Sequence, residues 1–340
     1  MSITKRPSGR GSKSDGGAGA QAQALPRLLQ HAPERWKLMA RLATRLRASK
    51  ILLLMFAPAA LYYAVFEYGP MFGIVIAFKD YNVFQGVWAS DWVGLKYFRY
   101  FLIENPDFPE LLRNTALLGL YSLIWGFPAP IVLALLLNEF RHQPFKRLVQ
   151  TISYLPHFVS NVVVASMLIL FLSPDGGLVN RLIGMFGGEP VYFMSKPEFF
   201  RTIFVSSGIW QSVGWGTIIY LAALSSVDPS LYEAAELDGA GRWRKMRHVS
   251  LPGMMPVVII LLIMEIGGLM GTGFEKVFLL YNPLTFETAD IFSTYTYRIG
   301  LMHGDFSYAT AIGVFNGALG FILIIAANYA ARRFQETSLW

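Results

Sequence analysis

The sequence contains no cysteine and few charged residues. Of its 340 residues, 15% are charged and 54% are hydrophobic, whereas an average soluble domain carries about 25% charged residues. The absence of cysteine excludes disulfides and thiolate metal sites. A chain this apolar would expose too much hydrophobic surface in water, so the sequence predicts a protein of the lipid bilayer.

Sequence motifs for metal or nucleotide chemistry are also absent. There is no H-E-x-x-H and no G-x-x-x-x-G-K-[ST] phosphate loop. A membrane enzyme would need a nucleophile–base pair or a metal cluster, and His157 is the only histidine that begins an apolar run. We therefore expect no catalytic, metal-binding or cofactor-binding residue in this chain. The five histidines are scattered: His31, His142, His157, His248 and His303.

Long apolar runs are what the sequence does contain. A helix needs roughly 20 apolar residues to cross a bilayer, and six runs are long enough. Pro58, Glu67 and Pro70 lie in the first run, so its outer end is expected to be distorted. The fold class predicted is all-α, with about six transmembrane helices at residues 51–77, 112–137, 149–172, 202–225, 254–280 and 306–330.

The basic residues are distributed unequally between the two sides of such a protein. Of the 29 Lys and Arg, 20 lie in residues 1–50, 138–148, 226–253 and 331–340, which six spans place on one side. Cytoplasmic loops carry the excess of Lys and Arg, so both termini are expected in the cytoplasm. Orientation also accounts for the net charge of +7, and no nucleic-acid partner is expected.

The chain divides into three predicted segments. Residues 1–50 form a basic cytoplasmic segment, partly disordered at residues 8–24, which are rich in Gly, Ser, Ala and Gln. Its second half is either an amphipathic helix on the membrane surface or a solvated tail. Residues 51–331 form the membrane domain, and residues 332–340 form a short cytoplasmic tail.

The connection between the fourth and fifth runs predicts a hydrophilic helix–turn–helix. Asp228 is suited to cap a helix that has Pro229 at its first position. Gly239 and Gly241 are suited to the turn, and a second short helix follows over residues 242–249. Because a residue before proline disfavours helix, Leu251-Pro252 is expected to break the chain before the fifth span.

The segment EAAELDGAGRWRKMRHVSLP (residues 233–252) resembles the EAA loop of permeases in binding-protein-dependent ABC importers. The resemblance implies that this loop docks on a cytoplasmic ATPase dimer, which binds ATP and Mg²⁺ and carries out hydrolysis. It also implies a second permease subunit, a different chain, and an extracytoplasmic solute-binding protein. The residues that match the loop pattern, and so the implied coupling residues, are Glu233, Ala234, Ala235, Asp238, Gly239, Ala240, Gly241, Leu251 and Pro252.

Further segments resemble the oligosaccharide and polysaccharide branch of the same family, from Ile51 onward. These include PMFGIVIAFKDYN (70–82), GFPAPIVLALLLNE (126–139) and FEKVFLLYNP (274–283). The branch implies a multi-pass protein of the bacterial cytoplasmic membrane that imports a sugar oligomer or polysaccharide, with alginate as one candidate. The alternative is a secondary transporter or channel for a small polar solute. Such proteins commonly carry coupled acidic groups or paired broken helices at the membrane midplane, whereas Glu265 is a single such group and no inverted repeat is evident.

Four residues at predicted membrane depth are candidates for the solute path: Glu265, Asn316, Trp210 and Trp215. A carboxylate in hydrocarbon normally faces a cavity or a partner, while the two tryptophans are suited either to stacking on sugar rings or to the core. A uronate-rich solute would require basic residues on its route, for which Lys276 and Arg298 are candidates. Gly267-x-x-x-Gly271 and Gly313-x-x-x-Gly317 predict close helix packing, within the chain or between subunits.

Overall fold

The computed structural model describes residues 49–140, 142–271 and 273–335, with side chains up to residue 333. The predicted N-terminal segment, apart from its last two residues, and the end of the C-terminal tail lie outside this part of the chain. Within it, the only strands are β1, Lys79–Asp80, and β2, Asp91–Trp92, which pair antiparallel with Lys79 opposite Trp92. The all-α fold class is confirmed.

Helices account for most of the described residues, and several join end to end. Short π-helical or 3-10 segments connect neighbouring α-helices at Ala64–Tyr68, Phe72–Phe78, Tyr100–Glu104, Ser122–Gly126, Leu155–Phe158, Phe193–Ser195, Met246–Ser250, Leu269–Gly271 and Arg298–Met302. The α-helices are α1 (Lys50–Tyr63), α2 (Gly69–Met71), α3 (Gly86–Ala89), α4 (Lys96–Arg99), α5 (Phe108–Tyr121), α6 (Pro128–Glu139), α7 (Gln143–Tyr154), α8 (Asn161–Phe171), α9 (Leu178–Met185), α10 (Pro197–Ser225), α11 (Pro229–Leu237), α12 (Arg242–Lys245), α13 (Leu251–Gly268), α14 (Phe274–Leu280), α15 (Phe286–Ala289), α16 (Phe292–Tyr297) and α17 (Phe306–Gln335).

The chain divides into two compact units, one ending at Phe72 and the other beginning at Gly73. In the first unit, α1 has Pro58 inside it and no buried residue. Beyond Tyr63 the α geometry gives way to a π-helical segment, so the outer end of this run departs from a regular helix as its prolines suggest. The fully exposed apolar surface of α1 suits contact with lipid.

Four helical stretches are long and apolar enough to cross a membrane, namely Lys50–Phe78, Phe108–Glu139, Arg242–Gly271 and Phe306–Arg333. A bent pair, Gln143–Phe158 and Asn161–Phe171, makes a fifth if it is counted as one span, and its two halves meet at 98°. The prediction of one continuous helix over 149–172 is therefore wrong. Pro156 and the side chain of Ser160, which caps α8 by accepting from the Val163 N–H, end one helix and start another.

Helix α10 corresponds to the fourth predicted span, residues 202–225. Its 29 residues measure about 43 Å at 1.5 Å per residue, enough to cross a bilayer. It is less apolar than the four stretches above because Gln211, Ser212 and Thr217 interrupt its aliphatic residues. At this helix the predicted span is therefore long enough to cross a bilayer, but it is less apolar than predicted.

The fifth predicted span, residues 254–280, has the wrong bounds. The helical stretch begins at Arg242 and ends at Gly271, and α14 starts separately at Phe274. Between them Gly273 has a left-handed φ of 76°, a conformation that a side chain would strain. Its notional Cβ would also lie 2.4 Å from the ring of Phe204, so the chain turns here at a residue that must be glycine.

The second unit packs around three buried apolar clusters. One joins α5, α8, α10 and α14, and includes Leu118, Phe204 and Val277. Another joins α6, α10 and α13 around Tyr220 and Met254. The third lies where α5, α16 and α17 meet the segment after α4. Helices α5 and α10 each take part in two of the clusters, so together they connect all three.

Glycine brings α13 and α17 together, but not through both predicted motifs. A Cβ at Gly267 would lie 3.0 Å from Ile324, and one at Gly320 would lie 3.0 Å from the Gly267 carbonyl oxygen. No described atom lies within 4 Å of a notional Cβ at Gly271, Gly313 or Gly317. Close packing within the chain therefore uses Gly267 with Gly320, and the Gly313/Gly317 face packs on nothing in the described chain.

Candidate coupling hairpin and translocation groove

The predicted helix–turn–helix is present as α11 and α12 with a tight turn between them. Asp228 caps α11, because its Oδ1 accepts the Ser230 N–H at 2.9 Å. This hydrogen bond lowers the pKa of the Asp228 carboxyl. At the turn, Gly239 has a φ of 74° and donates its N–H to the Glu236 carbonyl at 3.0 Å. The cap and the glycine turn are confirmed.

The expected chain break before Pro252 is not present. Helical structure runs from Arg242 through Met246–Ser250, which is π-helical, into α13. A proline ring clashes with the carbonyl four residues earlier in an α-helix, and for Pro252 that carbonyl belongs to His248 in the π-helical segment. The wider π turn there lets Pro252 occupy the second position of α13, so the hairpin joins the membrane helix rigidly.

Two side-chain contacts tie the hairpin to itself and to this long helix. Lys245 forms an ion pair with Glu236, joining the second helix to the first. The hydroxyls of Tyr232 and Ser250 are 2.9 Å apart, and Ser250 is buried at the start of α13. The coupling hairpin, residues 228–250, is therefore one body with the base of α13.

The structure places the predicted coupling residues on or next to this hairpin. Glu233, Ala234, Asp238, Gly239, Gly241 and Pro252 are exposed, whereas Ala235, Ala240 and Leu251 are half-buried. Sequence reasoning left out two large apolar side chains that the hairpin exposes, Leu237 at 90% and Trp243 at 71%. In the sequence, each of them can be recognised as a large apolar residue just before or just after the glycine turn. An exposed apolar pair beside carboxylates suits a protein partner.

A groove runs along α10 and carries two of the four predicted path residues. Its inner part has a volume of about 530 Å³ and is lined by α10, α13 and the segment before α6. Glu265 is exposed in this part, with Tyr220 and Ser212 among the other lining residues. Trp215 also lines it and stacks on His157 at 4.5 Å between ring centroids.

The outer part of the same groove lies beside the first turns of α10. Its volume is about 520 Å³, and it shares Val205 and Ile209 with the inner part. Tyr121, Trp125 and Arg201 line it, and sequence reasoning named none of these three. From Arg201 to Tyr220 the groove follows 19 residues of α10, about 28 Å, which is close to the hydrocarbon thickness of a bilayer, about 30 Å.

The other predicted path residues lie elsewhere. Trp210 lines an adjacent concavity of about 260 Å³ with Val164 and Met167 of α8, which meets the outer part of the groove at Ser206. Asn316 is not among the residues that line the groove, and its Oδ1 is buried without a hydrogen-bond donor among the described residues. Arg298 is held by Asp290 in an ion pair, whereas Lys276 is buried next to the groove wall.

Comparison with known proteins assigns the whole arrangement to one family. Residues 126–336 match the family model described as the binding-protein-dependent transport system inner membrane component. The chain is 48% identical over 323 residues, 95% of its own length and 99% of the relative's, to the polygalacturonan/rhamnogalacturonan transport system permease protein YteP of Bacillus subtilis. It is 29% identical over 263 residues, 76% of its length and 81% of the relative's, to the arabinooligosaccharides transport system permease protein AraP of the same organism.

A solved structure matches as well. A chain of the bacterial alginate ABC transporter, in complex with alginate pentasaccharide-bound periplasmic protein, superimposes with a TM-score of 0.81 and 40% identity, over 88% of this chain and 100% of that one. Because the YteP alignment covers 95% of this chain, similarity extends into residues 1–50, and the expectation that it starts at Ile51 is wrong. Family membership excludes the secondary-transporter, channel and membrane-enzyme alternatives. The chain belongs to the family of inner membrane components of binding-protein-dependent transport systems, and it is a multi-pass translocation subunit of an ABC importer, not an enzyme.

Proposed function

We propose that this chain, together with a second and different permease subunit, moves a sugar oligomer or polysaccharide into the cytoplasm. The observation that best supports this function is the open groove along α10. The groove combines aromatic faces, hydroxyls and charged groups over about the thickness of a bilayer. Rings and hydroxyl partners are what pyranose recognition requires. Relatives named for polygalacturonan and for alginate support an acidic glycan as the solute.

The groove is open on one side, and this supports the need for a second subunit. Its walls come from α5 to α6, α10 and α13, and Trp125 is 65% exposed within it. A polar path through a bilayer has to be closed from lipid. In the proposed importer a second permease covers the open side, and an extracytoplasmic solute-binding protein delivers the sugar to the outer end near Arg201.

The coupling hairpin is the proposed contact with the ATPase dimer. It presents Leu237 and Trp243 as exposed apolar groups and Glu233 as a carboxylate. ATP and Mg²⁺ are bound and hydrolysed by that partner. Since the hairpin continues as one helical stretch to Gly271, closure of the ATPase would move α13, and with it Glu265 in the groove.

Orientation completes the proposal. The excess of Lys and Arg on the loops grouped with the termini supports a cytoplasmic location for both termini and for the hairpin. This arrangement requires six crossings in a bacterial cytoplasmic membrane, so α10 crosses as well. Its polar residues are tolerated because Ser212 lines the groove, the Gln211 amide donates to the Val159 carbonyl and Thr217 is buried.

The experiment tests the hairpin with one substitution and a closely matched control. Gly239→Pro cannot adopt a φ of 74° and loses the N–H that bonds to Glu236. Gly187→Pro suffers the same two losses, at a φ of 78° and with the N–H that bonds to Gly184, but in the loop after α9. Proteoliposomes carrying the full importer should lose sugar uptake with Gly239→Pro and keep it with Gly187→Pro.

A charge reversal, Glu233→Lys, should likewise abolish uptake while the protein still inserts in the membrane. ATP hydrolysis that no longer responds to the loaded binding protein is the expected signature of a broken coupling contact. Wild-type uptake by either Gly239→Pro or Glu233→Lys at normal expression would contradict the coupling role of the hairpin.

A further inference from the structure

Arg201, which is half-buried, and Lys276, which is buried, are two cations beside the groove that lack an acidic partner. No carboxylate of the described residues lies within ion-pair distance of either. Arg201 donates from Nη2 to the Asn114 Oδ1 at 2.8 Å, but its Nε is buried without an acceptor. The guanidinium is thus fixed by a neutral amide and keeps donor capacity for another group.

Lys276 is more deeply buried than Arg201. It is 6% exposed, and its Nζ has no hydrogen-bond acceptor in the described part of the chain. The ammonium lies 5.4 Å from the ring centroid of Phe204. It also lies 3.7 Å from the position that a Cβ at Gly208 would take. Phe204 and Gly208 both line the groove, so the ammonium is directly behind the groove wall.

Neighbouring charges do not neutralise this pair. Arg113 repels the Arg201 guanidinium, and Glu287, whose side chain is exposed, attracts it more weakly. Arg298, by contrast, is paired with Asp290 and stacks between Phe286 and Tyr295. An unpaired buried cation costs stability. The fold pairs Arg298, but it leaves the Lys276 ammonium without any acceptor among the described residues and gives Arg201 only the neutral amide of Asn114.

The geometry joins these cations to one stretch of the groove. Arg201, Phe204 and Gly208 lie at i, i+3 and i+7 on α10, within about 10.5 Å along the helix axis. Tyr121 and Trp125 supply aromatic faces in the same outer part, 38% and 65% exposed. Because Gly208 has no side chain, the flexible lysine stem has room to bring its ammonium to the groove.

We propose that Arg201 and Lys276 form a subsite that binds the carboxylates of uronic acid residues in the transported glycan. Arg201 binds one carboxylate through Nη1, which has no acceptor among the described residues, and Lys276 approaches a second through the gap at Gly208. Tyr121 and Trp125 stack on sugar rings between them. This assignment rests on the proposed import of an acidic glycan and adds to it the residues that bind the carboxylates of the solute.

The test uses the complete importer in proteoliposomes with two probes. One is a radiolabelled galacturonate trisaccharide, and the other is the neutral trisaccharide made by reducing its carboxyl groups. Arg201→Gln and Lys276→Met should each lower uptake of the charged probe at least about tenfold, the loss expected for one hydrogen bond to a charged group. Arg201→Lys and Lys276→Arg should restore part of that uptake. Lys196→Gln, which removes an exposed cation just before α10, is the matched control and should leave uptake unchanged.

Melting temperature separates binding from structure. A structural lysine would leave a less stable protein when replaced, whereas Lys276→Met removes an unpaired buried charge and should keep or raise the melting temperature. Charged-probe uptake within twofold of wild type in both neutral variants would overturn the subsite. So would a loss of uptake accompanied by a lower melting temperature and no rescue by the charge-conserving variants.

Failure of the sugar-import function and failure of the carboxylate subsite would give different results. If wild-type importer takes up neither trisaccharide, the sugar-import function itself is wrong. If it takes up sugar but shows no preference for the charged probe, only the carboxylate subsite is wrong.

Discussion

The role of Glu265 depends on the direction of its side chain around the helix, which the sequence does not show. Its position in an apolar run predicts a cavity or a partner, and the structure places it exposed on the groove with Tyr220 and Trp215. Trp210 and Asn316 come from the same reasoning, yet they lie off the groove. The difference is the direction each side chain takes around its helix, which only the packing of α10, α13 and α17 settles.

Substitution of Glu265 should separate polarity from charge in the groove. Glu265→Gln keeps the size and hydrogen-bonding capacity and should retain part of the uptake, whereas Glu265→Leu should lower it about tenfold or more, the effect of losing a charged hydrogen-bond partner. Glu198→Leu removes an exposed carboxylate of the first turn of α10 that does not line the groove, and it should transport normally. Sugar uptake in proteoliposomes is the measurement, and full uptake by Glu265→Leu would remove Glu265 from the path.

Residues that carry the proposed carboxylate subsite were harder to find from sequence. Lys276 was named together with Arg298, only because a uronate-rich solute would require basic residues on its route. Asp290 is eight positions before Arg298, a spacing that no single helix turn brings together, and the intervening break at Asp290–Ile291 makes the ion pair possible. Arg201 sits before the predicted start of its span at residue 202, where a basic residue suggests only an interface.

At the scale of elements, sequence patterns fixed helix type well and helix ends poorly. The hairpin cap at Asp228 and the turn at Gly239 were predictable because each depends on one residue's local chemistry. The 98° bend before Asn161 and the start of the fifth stretch at Arg242 were not. Both depend on π-helical and 3-10 segments that redirect the chain around prolines. A hydropathy pattern does not reveal such segments.

Close approach of α7 to α10 provides an element-scale prediction. A Cβ at Gly214 would lie 2.0 Å from the Ser153 carbonyl oxygen and 2.3 Å from its carbon, and backbone atoms cannot move aside cheaply. Gly214→Ala should therefore destabilise the protein by about 1–3 kcal/mol, the usual cost of overpacking. It should lower the melting temperature in detergent.

Gly313→Ala is the control for this substitution. It also adds one methyl group inside a helix, but no described atom lies within 4 Å of its notional Cβ. Since alanine favours helix over glycine by roughly 0.8–1.0 kcal/mol, its melting temperature should stay the same or rise. Equal melting temperatures for Gly214→Ala and Gly313→Ala would contradict the close contact of α7 with α10.

At the scale of the whole molecule, the proposal depends on how many times the chain crosses the membrane. The apolar stretches supply four crossings, or five if the bent pair is one span, and the proposed cytoplasmic location of both termini then requires α10 to be the sixth. Without a crossing by α10, the coupling hairpin would lie on the same side as the loop after α8. Importer function requires the opposite arrangement, because the ATPase is cytoplasmic and the binding protein is not.

The lack of cysteine makes this arrangement directly measurable, because any introduced thiol is the only one in the chain. Asp175→Cys and Ser230→Cys place single thiols at exposed positions after α8 and in α11. In right-side-out membrane vesicles, a membrane-impermeant maleimide should label the thiol at position 175 and leave the one at position 230 unlabelled. In inside-out vesicles the pattern should reverse, and a reporter fused after Trp340 should behave as cytoplasmic. If both thiols are labelled from the same side, α10 does not cross the bilayer, and the hairpin and the groove cannot serve one importer in the way proposed.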